Sequence, residues 1–167
     1  MNPYDAGVIT IGWGNIGGWP SSEMRTYVNG DIYNSLPEEL RNGIINTTVV
    51  SGHGSTSGET NFTSTDKLYL LSTHEVWEGD DGNTSNGIYY DTAYNNTRQL
   101  DYYSSQNVTT SNYSGANKQR NGSNDWWWLR SARSIRNSSF CRVTASGSWG
   151  SDYSSGTNGV SPSFRIG

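Results

Sequence analysis

The feature that most constrains this chain is its shortage of aliphatic side chains. Leu, Ile, Val and Phe together number only 27 of 167 residues, whereas Ser, Asn, Thr and Gly number 79. A core with so few of these side chains has to be completed by the seven Trp and eleven Tyr residues, which bury a large area per side chain. The small polar residues favour turns, loops and extended segments over long helices. The sequence therefore predicts one domain of short elements and long loops around an aromatic core.

Charge and cysteine content exclude several classes of protein. The formal net charge is −4, with 5 basic and 13 acidic residues in 1–119 and 6 basic and 2 acidic in 120–167. This balance gives no reason to expect a nucleic acid as partner. No apolar run approaches the ~18 residues of a membrane span, and Met1 leads into a polar segment unlike a signal peptide. Cys141 is the only cysteine, which excludes a disulfide framework and a cysteine-based metal cluster.

Two short helices are predicted near the beginning of the chain. The first is capped by Ser21 or Ser22 and ends at Asn29-Gly30. The second begins near Ser35, where Ser35 and Glu38 have the spacing of a capping box, and it ends at Asn42-Gly43. These helices precede a series of short strands, so the predicted fold class is α+β.

The strands are predicted from short apolar or β-branched runs bounded by turn residues. They cover residues 8–11, 44–50, 67–72, 126–130, 139–144 and 160–166. One helical turn is predicted over residues 73–77, and residues 79–124 are predicted to be mostly loop. We expect these strands to form small antiparallel sheets joined by long loops.

The Gly-rich segment at residues 12–17 (GWGNIG) matches the GxGxxG pattern of dinucleotide-binding folds. That fingerprint requires its third Gly to open a helix. Here Gly18, Trp19 and Pro20 follow at once, so the segment is predicted to be a turn.

Residues 80–87 (DDGNTSNG) alternate Asp and Asn as calcium-binding loops do. Counted from Asp81, a hand-type loop needs Gly at its sixth position and Glu at its twelfth. This chain has Asn86 and Thr92 there. A solvated loop is favoured, with a loose structural calcium site as the alternative, and no other cofactor is expected.

His53 and His74 are the only histidines, and either could activate a serine for nucleophilic catalysis. The chain has no GxSxG nucleophile elbow, and the two histidines lie in a polar loop and at a helix start. Structural or surface roles are favoured for both, and the chain is predicted not to be an enzyme.

Residues 132–163 differ in composition from the rest of the chain. They contain no Lys, Glu, Gln or Met and only one Trp. Every other residue type present there can be reached from an AAC codon by replacing only its two adenines, whereas Lys, Glu, Gln, Met and Trp cannot. The pattern fits adenine-directed mutagenesis, and its Tyr, Ser, Gly, Asn and Arg content is also that of an antibody paratope. An ordinary pair of polar loops is the alternative.

Several motifs carry a resemblance to a known group of proteins. Residues 127–131 (WWLRS), 147–149 (GSW) and 159–166 (GVSPSFRI) resemble the variable proteins of diversity-generating retroelements. Residues 19–29 (WPSSEMRTYVN), 33–40 (YNSLPEEL) and 66–76 (DKLYLLSTHEV) resemble a related family of bacterial and phage surface domains. The resemblance implies a single C-type-lectin-like domain over residues 1–167, of the formylglycine-generating-enzyme subtype, with the C-terminal part of a longer protein as an alternative.

The resemblance also assigns roles within a variable region at about residues 132–158. The positions that match the invariant scaffold are Trp127, Trp128, Leu129, Gly147, Trp149, Gly159, Val160, Pro162 and Phe164. The positions that match variable, ligand-binding residues are Arg133, Ile135, Arg136, Asn137, Ser138, Cys141, Arg142, Thr144, Ser146, Ser148, Gly150, Ser151, Asp152, Tyr153 and Ser155.

Strand geometry adds two expectations about this region. Segments 138–144 and 148–153 should pair around the turn at Ser146-Gly147, with the variable side chains on one face and Phe140, Val143 and Trp149 toward the core. Trp127, Trp128 and Phe164 should be buried together, because few aliphatic side chains are present to replace them.

The function implied by the resemblance is that of a hypervariable receptor-binding domain on a phage tail or a cell surface. Its expected partner is a protein or glycan receptor on a host or neighbouring cell, without membrane insertion. One alternative is a structural or carbohydrate-binding domain of a surface fibre that does not vary. Another is an oxidase related to formylglycine-generating enzymes, which the single cysteine disfavours because that chemistry uses a copper-binding cysteine pair.

Overall fold

The computed structural model describes residues 14–79 and 88–167. In these residues the protein is a mixed α/β fold with short helices and small antiparallel sheets. The α-helices are α1 (Glu23–Tyr27), α2 (Tyr33–Ser35), α3 (Glu38–Gly43), α4 (Thr73–Val76) and α5 (Asp101–Ser104). The strands are β1 (Ile44–Ile45), β2 (Thr47–Ser51), β3 (Phe62–Asp66), β4 (Lys118–Arg120), β5 (Ser123–Asp125), β6 (Trp127–Ala132), β7 (Ser139–Val143), β8 (Trp149–Tyr153) and β9 (Arg165–Ile166).

The first helical region is longer than predicted. Ser22 caps α1 by accepting a hydrogen bond from the Arg25 N–H, as expected. The chain does not leave the helix at Asn29-Gly30, because a π-helical turn over Val28–Ile32 leads directly into α2. The Asn29 side chain bonds a distant segment: its Oδ1 accepts from the Lys67 and Leu68 N–H groups, and its Nδ2 donates to the Leu68 carbonyl. The side chain predicted to end the helix instead ties it to the core.

The next helix, α3, ends at Gly43 as predicted, but its predicted capping box is wrong. Ser35 Oγ donates to the Ile32 carbonyl at 2.7 Å, so this serine closes the preceding helix instead of opening the next one. α3 begins after Pro37 without a side-chain cap. A capping box does form at α4, where Ser72 and Glu75 bond each other's backbone N–H groups.

Several predicted strands are shortened or moved. Residues 44–50 are divided between β1, which pairs with β9, and β2, which pairs with β3. Residues 67–72 are largely buried but do not form a strand: their β pairing is an isolated bridge between Tyr69 and Ser163, and side chains such as Asn29 and Arg130 bond other backbone groups of the segment. The closing strand at 160–166 is reduced to β9. The strand predicted at residues 8–11 lies outside the described residues.

The largest sheet has the order β6-β7-β8 and carries the predicted variable region. β6 and β7 pair with Trp127 opposite Val143 and Trp128 opposite Arg142, and the register shifts between Trp128 and Ala132. β7 and β8 pair without a shift around the predicted turn. Phe140 and Val143 are both buried, which requires both faces of the central strand β7 to be covered.

Tryptophan side chains form much of the core, and each buried indole N–H described below has an acceptor. Trp19 Nε1 donates to Asp66 Oδ2 at 3.0 Å, Trp77 Nε1 to the Gly147 carbonyl at 3.0 Å, and Trp127 Nε1 to the Ala116 carbonyl at 3.3 Å. Trp127 and Trp128 are buried, as predicted. Phe164 is 39% exposed, so its predicted burial is wrong. It lies between the Ser163 bridge and the two-residue strand β9, in a ribbon at the protein surface.

Arg130 is a charged residue buried within this core, with only 2% of its surface exposed. Its guanidinium donates to the Val50 carbonyl at 3.0 Å, the Leu70 carbonyl at 2.8 Å and Glu75 Oε2 at 2.5 Å. The residue therefore joins β6 to β2, to the buried segment before α4 and to α4 itself. A buried charge of this kind is tolerated when it is paired and fully hydrogen-bonded.

We expect Arg130→Ala to lower the free energy of unfolding by about 3–5 kcal/mol, because it leaves Glu75 as a partly buried charge without its partner. Urea denaturation followed by tryptophan fluorescence measures this change. The matched control is Arg120→Ala, which breaks the half-exposed pair with Asp125 and should cost less than about 1 kcal/mol. Equal effects of the two substitutions would contradict the central role of Arg130.

Candidate ligand-binding surface

The sheet topology brings two predicted variable segments to the same end of the sheet. Ala132, at the end of β6, lies opposite Phe140, and Tyr153, at the end of β8, lies opposite Ser139. The loop 133–138 and the residues after β8 are therefore neighbours, and the Ser154 N–H donates to the Ser138 carbonyl at 2.9 Å. The exposed predicted residues at this end, here called the loop-end surface, are Ile135, Arg136, Asn137, Tyr153 and Ser155.

Asn15 anchors the loop 133–138 from below. Its side chain is fully buried, and its Nδ2 donates to the Arg136 carbonyl at 2.9 Å and the Ser139 carbonyl at 2.7 Å, with the Arg133 carbonyl at 3.5 Å. The Asn15 N–H also donates to the Asn137 carbonyl at 2.7 Å. One residue far away in the sequence thus binds the inward-facing carbonyls of the loop.

Further hydrogen bonds that shape this loop join main-chain atoms. The Ser134 N–H donates to the Tyr90 carbonyl at 2.9 Å, the Arg133 N–H to the Ser139 carbonyl at 3.0 Å, and the Arg136 N–H to the Arg133 carbonyl at 3.1 Å. The side chains of Ile135, Arg136 and Asn137 take no part in these bonds. Their identity can therefore change without removing a hydrogen bond that holds the loop.

The expectation of a single variable face is wrong for the strands themselves. Side chains alternate across a strand, and the register places Arg142 with Gly150 and Asp152 on one face. Ser151 and Tyr153 are directed to the other face. The structure thus divides these strand residues between the two faces of the hairpin.

On the face of Ser151, Arg133 packs between two aromatic rings. Its guanidinium carbon lies 5.3 Å from the Tyr90 ring centre and 5.4 Å from the Trp149 ring centre, within the range of cation–π attraction. Arg133 also donates to Ser151 Oγ at 3.0 Å. Trp149 is half-buried in this stack, and its role as a scaffold residue stays a prediction.

On the opposite face, Arg142 forms an ion pair with Asp152 and stacks on Trp126. Arg142 Nη1 lies 2.6 Å from Asp152 Oδ2 and 2.9 Å from Asn158 Oδ1, and the guanidinium carbon lies 3.5 Å from the Trp126 ring centre. Asn158 Nδ2 donates to Asp152 Oδ2 at 3.3 Å. Partial burial lowers the pKa of Arg142, while the Asp152 carboxylate acts to raise it.

Three further predicted variable residues lie at the far end of the hairpin. The hydroxyls of Thr144, Ser146 and Ser148 are within 3.1 Å of one another around the β7–β8 turn. They are distant along the strands from the loop-end surface, so they do not extend it.

Cys141 does not belong to any exposed surface, and its assignment as a ligand-binding residue is wrong. Its side chain is fully buried on the central strand. Burial raises the pKa of Cys141 to about 12, with a further contribution from the Asp91 carboxylate. The residue behaves as a small core side chain because β7 is covered on both faces.

At both predicted scaffold glycines, a Cβ atom would clash with a backbone carbonyl oxygen. Gly147 has φ +90°, and a Cβ placed there would lie 2.1 Å from the Tyr113 carbonyl oxygen. Gly159 bridges Trp127, and a Cβ there would lie 2.9 Å from the Trp126 carbonyl oxygen. Of the other scaffold positions, Leu129 is buried, whereas Val160 and Pro162 are half-buried.

Sequence reasoning missed four residues that complete these surfaces: Asn15, Tyr90, Trp126 and Asn158. Three of them lie outside the compositionally unusual segment, and Asn158 lies within it as one polar residue among many. Their roles depend on long-range contacts. Of the four, only Trp126 could have been identified from the sequence. It follows the charged residue Asp125 at the start of a predicted strand, where a side chain can reach the surface.

The histidines have structural contacts. The Nδ1 atoms of His53 and His74 lie 2.6 Å from the carbonyl oxygens of Gly54 and Tyr94, respectively. In the described part of the GxGxxG segment, Gly14–Gly17 form a bend and turn that lead into a short 3₁₀ helix. Residues 80–87, the calcium-loop candidate, lie outside the described residues. Within ranges 14–79 and 88–167, no His, Cys, Asp and Glu side chains form a metal-binding group, and no helix is long and apolar enough to span a bilayer.

Residues 12–167 match the family described as a domain of unknown function, DUF6273. The chain belongs to this family. No curated protein and no solved structure matches the chain. The match begins just before Asn15 and continues to the end of β9, so the loop and its buried anchor are both within the family domain.

We expect the Cys141 thiol to resist alkylation by iodoacetamide at pH 8 in the folded protein. The thiolate is the reactive species, and a pKa of about 12 leaves it almost unpopulated at that pH. In urea the pKa returns to ~8.5 and the thiol should react. Because the folded pKa is the higher one, the contribution of Cys141 to stability is complete below ~8.5 and is lost as the pH rises toward 12. Mass spectrometry follows the reaction, and rapid labelling of the folded protein would contradict the burial of this residue.

Proposed function

We propose that this chain is a hypervariable ligand-binding domain of a phage or bacterial surface protein, diversified by adenine-directed mutagenesis. The single observation that carries the proposal is the loop 133–138. Its main chain is held by Asn15 and by backbone hydrogen bonds, while Ile135, Arg136 and Asn137 project from it. A site that must accept many different side chains needs such a separation between the atoms that hold its shape and the atoms that contact the ligand.

The proposed binding region is the loop-end surface. Tyr153 is 59% exposed and Ile135 46% exposed, so both offer apolar area to a partner. Arg136 adds a guanidinium, and Tyr and Arg are the side chains that most often dominate binding energies in protein interfaces. The partner under this proposal is a protein or glycan receptor on a host or neighbouring cell.

The proposal includes a C-type-lectin-like fold and a location at a phage tail or cell surface. Short helices before β2, small antiparallel sheets and long loops support that fold. The proposed role involves no catalysis. In the oxidase alternative a pair of cysteines binds copper, whereas Cys141 is single and buried.

We expect simultaneous replacement of the loop-end side chains to leave the melting temperature nearly unchanged. The variant replaces Ile135, Arg136, Asn137, Tyr153 and Ser155 with Ser or Ala, each an exposed change worth within ~0.5 kcal/mol. The matched control is Asn15→Ala, which leaves buried carbonyls unsatisfied at about 1–3 kcal/mol per group. Thermal unfolding followed by circular dichroism compares the two. A collapse of the five-position variant would show that these side chains build the fold, which favours an ordinary structural domain.

Diversification is tested separately from binding. The genome that encodes this chain is searched for a second copy of the segment for residues 132–163 that differs from it only at adenines. A library that randomises the five loop-end positions is then displayed and selected against host-cell surface extracts. Enriched clones whose binding is lost when the parental residues are restored support the proposal. A selection that enriches no loop-end sequence overturns it.

A further inference from the structure

A second surface, on the opposite face of the hairpin, combines an exposed aromatic ring with paired polar groups. It consists of Trp126, Arg142, Asp152 and Asn158, here called the Trp126 corner. Trp126 is 39% exposed, although its ring is already fixed in place by Arg142. Much of the apolar surface of this indole is still in contact with solvent. A ligand that covered it would therefore gain favourable binding free energy from apolar burial.

The polar groups beside the ring are oriented before any ligand arrives. Arg142 is tied to both Asp152 and Asn158, and Asn158 in turn donates to Asp152. The Tyr153 N–H donates to Asp152 Oδ1 at 2.8 Å, which fixes the carboxylate from its own strand. Side chains fixed in this way lose little conformational entropy when a ligand binds.

The charge at the corner distinguishes between classes of ligand. Arg142 and Asp152 neutralise each other. An acidic ligand would be repelled by the Asp152 carboxylate, and a basic ligand would be repelled by the Arg142 guanidinium. The corner instead offers the Asp152 carboxylate as an acceptor beside the Arg142 guanidinium as a donor, with 28% and 14% of these side chains exposed, while Asn158 is buried and holds both in place. A hydroxyl group is both donor and acceptor. A neutral ligand with several hydroxyls and one apolar face matches this arrangement.

We propose that the Trp126 corner binds a neutral pyranoside sugar. The C–H face of the pyranose ring packs on the exposed part of the Trp126 indole, and its hydroxyls donate to Asp152 and accept from Arg142. This site is separate from the loop-end surface, because Asp152 and Tyr153 are adjacent in β8 and point to opposite faces. It requires no diversification of the chain.

Saturation-transfer NMR tests the proposal with the methyl glycosides of glucose, galactose, mannose and N-acetylglucosamine, each at up to about 10 mM, since specific sites can be as weak as millimolar. The parent protein should transfer saturation to at least one of them. Trp126→Ala should weaken that binding at least tenfold, and Asp152→Asn should weaken it several-fold. Trp126→Phe, which keeps an aromatic ring, should retain binding to within a few-fold.

The matched control is Tyr102→Ala, which removes an exposed aromatic ring from α5, outside both surfaces, and should leave sugar binding unchanged. The inference is overturned if none of the four glycosides binds. It is also overturned if binding survives in Trp126→Ala but is lost in Tyr153→Ala, which would place the sugar at the loop-end surface. Loss of receptor binding in loop-end variants tests the proposed function and leaves the result at Trp126 unaffected.

Discussion

The need of three buried indole N–H groups for acceptors organises much of this protein. A chain with few aliphatic residues has to bury tryptophans, and a buried tryptophan N–H without a partner is costly. Trp19 finds its acceptor on β3, Trp77 in the turn between β7 and β8, and Trp127 in the loop before β4. The Trp77 and Trp127 bonds connect the core to a turn and to a short 3₁₀ helix in the loops, so the residues that form the core also hold these loop segments.

Buried charges and polar groups extend the same principle. Asp66 accepts from Trp19, from Arg25 at 2.6 Å and from Ser64 at 2.7 Å, which joins β3 to α1. Asp91 accepts from Ser131 and Thr73, which joins β6 to α4. Small hydroxyl side chains are abundant in the sequence, and here they satisfy buried carboxylates. The polar composition that disfavours long helices thus supplies the partners that a core of this kind requires.

Local patterns were sufficient for the features that depend on neighbouring residues. The Ser22 cap, the turn α4, the end of α3 at Gly43 and the β7–β8 hairpin follow from short motifs. Asn29 and Ser35 are residue types that often mark helix boundaries. In the structure Asn29 bonds the distant Leu68 carbonyl, and Ser35 bonds back to the Ile32 carbonyl of the preceding helix. Residues 67–72 are apolar enough to be buried, and their hydropathy predicts a strand. The strand that pairs with β2 is β3, just before them in the chain. Exposure of Phe164 and burial of Cys141 depend on which strands flank them, and residue type alone does not encode that.

The covered central strand sets a limit on any diversification of this domain. An AAC-type codon at position 141 would give Asp, Asn, Arg, His or Tyr among its products, and each would place a polar or large side chain in a fully buried site near Asp91. Such products would lose several kcal/mol, which is a large fraction of the stability of a domain. The same changes at Arg136 or Asn137 meet solvent. If the proposed mutagenesis operates, folding itself therefore removes variants at the buried position before any ligand selects among the rest, and the usable diversity is concentrated in the loop that Asn15 holds.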